Sequence, residues 1–431
     1  MQAGKNLFSP STSTESAGAP NHNMLSNSLT TLVDGLARMR GAALKIGQML
    51  SIQDNTMLDP ALRAVFARVQ DQANYMPDSQ LDGVMTAQLG SDWLSKFTSF
   101  DRTPIAAASL GQVHRGSIPN PDGGPPVPVA VKVQYPGVAD SIDSDLDSLK
   151  SLLLFSRLLP RGMYLDNTIR VARAELKDEC DYVREAAHMA AFARLVADDP
   201  ALAGDFYVPR PFTHMSTSRV LVSLKQKVSQ YVRKGVPISA VAEADQATRD
   251  RVAAGILRLT VRELFSWRVM QSDPNFSNFL YTPASGYVHL VDFGATREYA
   301  EAFVRAYRDL LRAAAARDLE TCERVSRELG FLTGSESKAM LHAHLDSLTS
   351  LAEPLDPSRN TVAGSLFDFA GSDIPQRVRA HVPLMLRERL TPPPTESYSI
   401  HRKLMGVWML CVRLRARVPA ARIFQEGLAM E

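Results

Sequence analysis

The sequence predicts an α+β fold, and three observations support this prediction. A valine-rich strand lies near residue 130, a short hairpin follows residue 278, and the chain after residue 299 has helical periodicity. The 431 residues are enough to bury more than one hydrophobic core, and 45% hydrophobic residues is typical of a globular protein. We therefore expect short strands interspersed with long helices, followed by a helical C-terminal part.

The valine-rich strand carries the first candidate functional residue. Residues 127–135 read VPVAVKVQY, in which Val129, Val131 and Val133 alternate with other residues. Since successive side chains of a strand point to opposite faces, Lys132 is expected on the face opposite the valines. A lone lysine on a strand is usually solvated, but the VAVK context together with the acidic motifs below favours contact with phosphate groups.

The most informative segment, residues 271–278, reads QSDPNFSN and is followed by the triplet Asp292-Phe-Gly294. In protein kinases, a catalytic-loop aspartate is followed five positions later by an asparagine that holds Mg²⁺, and a second aspartate opens the DFG triplet. Asp273, Asn278 and Asp292 have this order and spacing. The pattern predicts that Asp273 orients the attacking water or hydroxyl, while Asn278 and Asp292 bind Mg²⁺.

A magnesium site requires that these oxygen donors converge, because Mg²⁺ prefers oxygen ligands. Residues 279–281 and 287–291 have the composition of two short strands joined by a turn at residues 283–286. Such a hairpin would bring Asp292 back beside Asn278. The alternatives are an ordinary turn aspartate at 273 and a helix N-cap at 292, which we consider weaker because the whole pattern is ordered.

The lysine needs a carboxylate partner, and residues 165–196 are predicted to form one long helix that carries several. Its acidic residues are Glu175, Asp178, Glu179, Asp181 and Glu185. Like charges at helical spacing repel one another unless cations neutralise them. A solvated helix face is the alternative, but with Lys132 and a metal site in the chain we expect some of these acids to face the cleft.

The loop before the strand departs from the kinase pattern, since no GxGxxG sequence precedes Lys132. Instead the chain has Ala106, Ala107, Ala108 and Ser109. Alanines stiffen a turn that glycines would let close on phosphate, so the nucleotide is expected to bind differently here.

The ordered motifs resemble the UbiB-like atypical kinase family, the aarF-domain proteins that include mitochondrial proteins of coenzyme Q biosynthesis. The similarity runs from about residue 29 to about residue 428. The matching segments are KIGQ at 45–48, AAAS at 106–109, VKVQYPG at 131–137, ECDYVRE at 179–185, QSDPNFSN at 271–278 and LVDFG at 290–294.

The resemblance implies a protein kinase-like two-lobe fold with an N-terminal helical extension over the active site and a mostly helical C-lobe. Residues 1–24 are rich in Ser, Thr, Pro and Gly, which predicts a disordered segment. The resemblance implies the extension at 25–98, the N-lobe at 99–224 and the C-lobe at 225–431. It further implies binding of ATP or ADP with Mg²⁺ and hydrolysis of ATP. Lys132 would contact phosphates, the alanine loop would bind nucleotide, and Glu185 would take the helix-glutamate role.

The same resemblance assigns a regulatory role to Lys45, Gly47 and Gln48, which resemble an inhibitory plug, and to Glu179 and Asp181, which would meet that plug. Independently, apolar residues recur at steps of three and four along residues 29–50, which predicts an amphipathic helix. Lys45 and Gln48 lie beside its apolar stripe. A surface lysine and glutamine on such a helix is the alternative reading.

Three further segments are less informative about function. After the strand-like residues 219–222, the adenine hinge at 223–237 is longer and more basic than the family pattern, so the adenine contact has no residue assignment. The C-terminal segments LTPPP at 390–394 and HRK at 401–403 match the family but carry no chemistry that the sequence alone reveals. No APE motif and no charged activation segment follow Gly294, which disfavours protein phosphorylation.

Composition limits the partners and the compartment. With 48 basic and 46 acidic residues, the net charge of +2 does not indicate nucleic acid. Three scattered cysteines suit a reducing compartment, and no apolar run is long enough to predict a membrane-spanning helix. Residues 1–24 lack the arginine-rich composition of a mitochondrial presequence, so placement on the matrix side of the inner membrane follows from the resemblance alone.

The resulting prediction is an atypical kinase-like, Mg²⁺-dependent ATPase that supports ubiquinone biosynthesis, with an unknown phosphoryl acceptor. Its expected partners are coenzyme Q biosynthetic proteins, with a peripheral lipid or membrane surface and a homodimer as further candidates. The alternatives are a protein or small-molecule kinase and a non-catalytic scaffold that senses nucleotide.

Overall fold

The computed structural model describes residues 75–107, 110–120, 122–156, 164–224, 235–356, 358 and 366–428. Several predictions lie outside these described residues. They are the disordered segment 1–24, the helix at 29–50 with Lys45, Gly47 and Gln48, the loop residues Ala108 and Ser109, and most of the hinge at 223–237.

The strands are short. They are β1 (Ser99–Phe100), β2 (Ala106–Ala107), β3 (Gly111–Ile118), β4 (Val127–Gln134), β5 (Phe206–Tyr207), β6 (Val220–Leu224), β7 (Val236–Pro237), β8 (Val269–Gln271), β9 (Phe279–Tyr281), β10 (Val288–Leu290), β11 (Thr296–Glu298), β12 (Phe367–Asp368) and β13 (Arg417–Val418).

The helices account for most of the described chain. They are α1 (Asp78–Leu89), α2 (Val138–Ser156), α3 (Leu165–Glu179), α4 (Tyr182–Asp198), α5 (Gln246–Val261), α6 (Glu301–Ala315), α7 (Leu319–Glu328), α8 (Lys338–Ala352), α9 (Ile374–Glu388), α10 (Thr395–Arg413) and α11 (Ala420–Leu428).

The first sheet is antiparallel, with the order β1-β3-β4-β6 and β2 beside β3. Val129, Val131 and Val133 of β4 are completely buried, and they pack in one hydrophobic cluster with Leu81 and Met85 of α1. The alternation along β4 therefore places Lys132 on the other face, as the sequence predicted.

The predicted hairpin is confirmed. Strands β9 and β10 pair antiparallel, with Val288 opposite Tyr281 and Leu290 opposite Phe279. They belong to a four-stranded sheet of order β5-β10-β9-β7, in which β5 runs parallel to β10. A second small ladder pairs β8 with β11, with Gln271 opposite Thr296. The residues before Asp273 and the residues after Asp292 thus belong to the same ladder.

The prediction of one long helix over residues 165–196 is wrong. The chain forms α3 and α4, which are separated at Cys180 and Asp181. Asp181 has extended backbone angles, and its Oδ1 accepts hydrogen bonds from the backbone N–H groups of Val183 and Arg184. An aspartate in this geometry is an N-cap, so it starts a new helix rather than continuing the old one.

The C-terminal part is mostly helical, as predicted. Tyr307, Leu310 and Leu311 of α6 are buried, and so are His344 and Leu348 of α8. One detail differs, because β12 pairs with β13 within this part. These strands have two residues each, which is too short for a period of two to be recognised. No helix among the described residues is long and apolar enough to span a membrane.

Candidate active site

Lys132 forms the centre of the site with two carboxylates. Its Nζ lies 2.8 Å and 2.9 Å from the two carboxylate oxygens of Glu185 in α4, and 3.4 Å from Oδ2 of Asp292. The ammonium also lies 5.0 Å from the centroid of the Tyr182 ring, in cation–π range. The Glu185 side chain is fully buried, whereas that of Asp292 is 32% exposed. Lys132 therefore joins a buried helix carboxylate to a carboxylate that faces the cleft.

The charges of this group depend on one another. Burial alone lowers the pKa of Lys132, but the carboxylates of Asp292 and Glu185 more than reverse this, so the pKa lies well above its ordinary value. Burial raises the pKa of Glu185 to about 7, although the Lys132 ammonium opposes the shift. The lysine is thus held as a cation at neutral pH, as contact with phosphate requires.

The catalytic-loop segment folds into a tight turn that begins at the end of β8. The Asp273 carboxylate accepts hydrogen bonds from Asn275 N at 3.2 Å and from Asn278 Nδ2 at 3.1 Å. Residues Phe276–Asn278 form one 3₁₀ turn, which Asn275 caps through its side chain. Because Asn278 donates its amide N–H to Asp273, the oxygen of its side-chain amide remains for another partner.

Asp292 lies beside this turn because of the hairpin. Val291 N donates to Asn278 O at 3.2 Å, which extends the β9–β10 pairing by one step. Asp292 Oδ1 accepts from Gly294 N at 3.0 Å. A Cβ at Gly294 would lie 3.3 Å from Cγ of Glu179, so a side chain there would be tightly constrained. The structure thus brings Lys132, Glu185 and Asp292 into contact, and it joins the Asp273–Asn278 turn to the residue before Asp292.

The acidic residues of α3 and α4 have different surroundings. Glu179 packs against Gly294, and Asp181 caps α4 as described above. Asp178 lies 3.5 Å from Arg297 and 3.8 Å from Arg184. These acids do not share one face as a single helix would require, because the break at 180–181 reorients the residues after it.

The alanine loop is described only in part. Ala106 and Ala107 pair with Val113 and Gln112 of β3. At the far end of the loop, a Cβ on Gly111 would lie 2.3 Å from Val133 O, so this position excludes any side chain. The loop is therefore anchored on both sides next to the strand that carries Lys132.

The sequence reasoning missed the contribution of α10. Arg402 Nη2 binds both carboxylate oxygens of Glu175 at 2.9 Å and 3.1 Å, and its Nε donates to Ser272 O at 3.4 Å. Lys403 Nζ donates to Gln271 O at 2.8 Å. The segment 401–403 thus supports the residues just before Asp273. No local pattern predicts contacts across about 130 positions of sequence, and the burial of these two basic side chains is seen only in the fold.

The donor set fits a magnesium ion bound together with a nucleotide. Among the described residues, no group of three or more His, Cys, Asp or Glu side chains is arranged to hold a metal ion. Mg²⁺ is commonly bound through one or two carboxylates plus phosphate oxygens and water, rather than by an all-protein cage. Asp292 and the Asn278 amide oxygen would hold it, and the ion would neutralise phosphate charge.

Comparison with known proteins gives consistent results. A match to the ABC1 atypical kinase-like domain covers residues 68–326. The chain is 44% identical over 403 residues to "Atypical kinase COQ8, mitochondrial" of Saccharomyces cerevisiae, covering 94% of this chain and 76% of that protein. It is 42% identical over 395 residues to "Atypical kinase COQ8B, mitochondrial" of Danio rerio, covering 92% of this chain and 60% of that protein.

The fold has a counterpart among solved structures. The structure of the Rv3197–erythromycin complex from Mycobacterium tuberculosis superposes with a TM-score of 0.60 and 24% identity, covering 94% of this chain and 98% of the other. At this identity the likeness supports the fold alone, and it agrees with the predicted kinase-like, mostly helical α+β architecture. The domain match and the extended identity to the COQ8 proteins establish that the chain belongs to the ABC1, or UbiB-like, family of atypical kinases.

Proposed function

We propose that this protein binds ATP with Mg²⁺, hydrolyses it slowly and acts in coenzyme Q biosynthesis in mitochondria. The observation that carries the proposal is the buried Lys132–Glu185 ion pair at 2.8 Å, directed at Asp292 beside the Asp273–Asn278 turn. A structural ion pair alone would not require a catalytic-loop turn and a second carboxylate within the same cleft.

Each residue has a chemical task in this proposal. Lys132 binds the phosphates, and Glu185 keeps the ammonium in position and charged. Asp273 accepts a hydrogen bond from the attacking water and orients it. Asn278 and Asp292 provide oxygens for the metal ion. Positioning and charge stabilisation of this kind account for most of the catalysis in phosphoryl transfer.

Water is the proposed phosphoryl acceptor, because the segment after Asp292 is short and backbone groups of it already have hydrogen-bond partners. It passes directly through β11 into α6 at Glu301. Arg184 donates hydrogen bonds to the backbone oxygens of Gly294 and Thr296, and β11 pairs with β8. This arrangement leaves little free backbone for docking a peptide, which supports an ATPase over a protein kinase.

The cellular role and the regulation are proposed from the relatives and from the family resemblance. The COQ8 relatives are named mitochondrial, which supports a mitochondrial site of action for this chain. The regulatory roles of Lys45, Gly47 and Gln48, the proposed lobes and the interaction with other biosynthetic proteins remain parts of this proposal. Glu179 lies beside Gly294 of the DFG triplet.

Thermal unfolding with and without Mg-ATP tests the binding site. A ligand at about a hundred times its dissociation constant stabilises the folded state by about 2.7 kcal/mol. We expect the wild type to be stabilised by this order, and we expect Asp292→Asn to lose the part that depends on Mg²⁺. Asp309→Asn, on the exposed side of α6, should behave like the wild type. No stabilisation of the wild type would refute nucleotide binding.

Phosphate release tests the catalytic part. Removing one well-placed catalytic group commonly lowers a rate by about 10²–10⁴-fold. Asp273→Asn should lower ATP turnover by about this factor while keeping the stabilisation by Mg-ATP. Unchanged turnover in this variant would show that Asp273 does not orient the nucleophile.

A further inference from the structure

Gln271 connects the two segments that carry the proposed metal ligands. It is the last residue of β8, two positions before Asp273, and it is 7% exposed. The oxygen of its side-chain amide accepts a hydrogen bond from Asp273 N at 2.5 Å. The nitrogen of the same amide donates to Asp292 O at 3.2 Å. One side chain therefore holds the backbone of both Asp273 and Asp292.

The backbone of Gln271 is itself fixed by a buried ion pair. Gln271 N donates to Glu263 Oε1 at 3.3 Å, and Lys403 Nζ donates to Gln271 O at 2.8 Å. Lys403 Nζ lies 3.1 Å from Glu263 Oε2, and both side chains are 1% exposed. A buried ion pair is stable only when further hydrogen bonds satisfy its charges, and here the backbone of Gln271 provides one to each partner.

The local backbone adds a second indication. Glu263 lies in a π-helical turn, Arg262–Ser266, which directly follows α5. Such turns are rare and occur frequently at functional sites. The turn presents the Glu263 carboxylate to the strand that ends at Gln271. The support for Gln271 thus comes from the π-helical turn after α5, through Glu263, and from α10, through Lys403.

The two hydrogen bonds of the Gln271 side chain require a group that both accepts and donates. One atom must accept from Asp273 N, and another must donate to Asp292 O. A glutamine has both, an ionised glutamate has only acceptors, and a methionine of similar length provides no comparable donor or acceptor. A protonated glutamate again has one donor and one acceptor.

We propose that Gln271 is a positioning residue that sets the distance between Asp273 and Asp292 for binding of Mg-nucleotide. It acts through these two residues and does not contact the metal ion. The proposal rests on the proposed function, because it assigns a task within the same site. Loss of the amide should weaken the response to Mg²⁺ more than it weakens the fold.

The experiment measures how the stabilisation by ATP depends on the Mg²⁺ concentration, in the wild type and in the variants Gln271→Met and Gln271→Glu. Loss of a hydrogen bond to a buried partner corresponds to about a tenfold change in an equilibrium constant. Gln271→Met should raise the Mg²⁺ concentration at half-maximal stabilisation by about tenfold. The matched control is Gln246→Met, since Gln246 also joins an aspartate, Asp250, to a backbone oxygen, that of Arg415, far from the cleft. It should leave the midpoint unchanged.

The pH dependence of the Mg²⁺ midpoint in Gln271→Glu distinguishes positioning of the site from a general contribution to the fold. Burial raises the pKa of a carboxyl group, so this variant should become protonated at mildly acidic pH. Relative to the wild type at the same pH, its Mg²⁺ midpoint should recover between about pH 8 and pH 5.5, while that of Gln271→Met should stay raised. A midpoint of Gln271→Met equal to that of the wild type would overturn the proposal, and so would equal pH profiles of the two variants.

A measurement without nucleotide separates this proposal from the proposed function. Hydrogen exchange of the amides at residues 291–294 in the unliganded protein should be faster in Gln271→Met than in Gln246→Met. If the wild type shows no Mg-ATP stabilisation but this difference appears, the proposed function fails and the positioning by Gln271 stands. Equal exchange in both variants would overturn the positioning itself.

Discussion

At the scale of single residues, the Lys132–Glu185 pair shows how a charged group is kept inside the protein. Glu185 is fully buried, and burial raises its pKa to about 7 against the attraction of the lysine. A buried carboxylate is costly unless a cation neutralises it. The structure therefore ties the stability of this region to the same ammonium that is proposed to bind phosphate.

Replacing Lys132 by methionine should destabilise the protein in a way that depends on pH. The free energy of unfolding should fall by about 3 kcal/mol at pH 8, because Glu185 is left without its cation. The folded-state pKa of Glu185 is already raised, and in this variant it should rise further. Between its unfolded value and this folded value, the folded state binds the proton more tightly, so the penalty grows as pH rises and is smaller at pH 6. Urea unfolding at both pH values measures it.

Two further variants test whether the unpaired charge of Glu185 causes the loss of stability in Lys132→Met. Lys132→Met combined with Glu185→Gln should recover most of the lost stability and remove the pH dependence, since the amide is uncharged. Lys150→Met breaks an exposed ion pair with Asp166 and should change stability by less than about 1 kcal/mol. If the double variant were as unstable as Lys132→Met, lost packing rather than charge would be responsible.

Residues at fixed spacing were predictable, whereas residues that act from a distance were not. Lys132, Asp273 and Asp292 were found because phosphoryl chemistry needs these residue types in this order. The structure brings Lys132 and Asp292 together, and it joins the turn that contains Asp273 to the residue before Asp292. The sequence places Gln271 in a motif without indicating a role for it, and it indicates no chemistry for Lys403. Their contacts span 21 and 132 positions of sequence, so only the fold reveals them.

At the scale of elements, α10 supports the catalytic loop. Besides Arg402 and Lys403, it places Gly406 directly against Pro274, the residue after Asp273. A Cβ at Gly406 would lie 2.2 Å from Cβ of Pro274 and 2.7 Å from its Cγ. Non-bonded carbon atoms do not approach this closely, and the proline ring cannot rotate away. The helix therefore approaches the loop as closely as a backbone without a side chain allows.

Gly406→Ala should therefore destabilise the protein, although alanine is normally preferred to glycine inside a helix. Alanine normally stabilises a helix interior by about 1 kcal/mol relative to glycine, but overpacking costs about 1–3 kcal/mol. We expect a net loss of stability and a lower ATP turnover, because the loop that carries Asp273 must move. Thermal unfolding and phosphate release measure the two effects.

Gly83→Ala is the matched control for this substitution. Gly83 lies inside α1 with nothing within 4 Å of the position of a Cβ, so alanine should stabilise the protein by about 0.5–1 kcal/mol with unchanged turnover. A stabilised and fully active Gly406→Ala variant would show that the loop tolerates displacement.

Elements were predictable where local chemistry defines their ends. The β9–β10 hairpin was recognised from its turn residues, and the amphipathic pattern gave α6 and α8. The division into α3 and α4 was missed because Asp181 reads equally well as a surface acid within a helix. Only its backbone conformation identifies it as an N-cap.

At the scale of the whole molecule, two hydrophobic clusters pack on either side of the cleft. One contains Val129, Val131 and Val133 with α1, and the other contains α4 to α11. Lys132 is attached to the first cluster, and Asp292 follows a strand of the second. Their contact at 3.4 Å therefore also joins the two clusters. The sequence predicted the α+β class and the helical C-terminal part, but it could not predict which groups would be buried between elements.

His344 provides a test of the large cluster as a whole. It lies in α8, is 4% exposed, and its Nε2 is 2.9 Å from Ser326 Oγ. Burial, together with the charge of Arg389, lowers its pKa to about 3. The unfolded chain binds a proton at this position below about pH 6.5, whereas the folded protein does not. Since the unfolded state then holds more protons, stability falls as pH decreases from about 6.5 towards 3.

The contribution of His344 should be visible in the slope of the free energy of unfolding against pH. One such histidine changes the free energy of unfolding by about 1.4 kcal/mol per pH unit in this range. His344→Gln should reduce the slope between pH 6 and pH 4.5 by about that amount in urea unfolding, even if the loss of packing on Phe331 lowers stability at pH 7. His214→Gln, at a histidine side chain that is exposed in the folded protein, is the matched control for the substitution itself. An unaltered slope in His344→Gln would mean that this histidine is already accessible to protons in the folded state, and that the large cluster is open around α8.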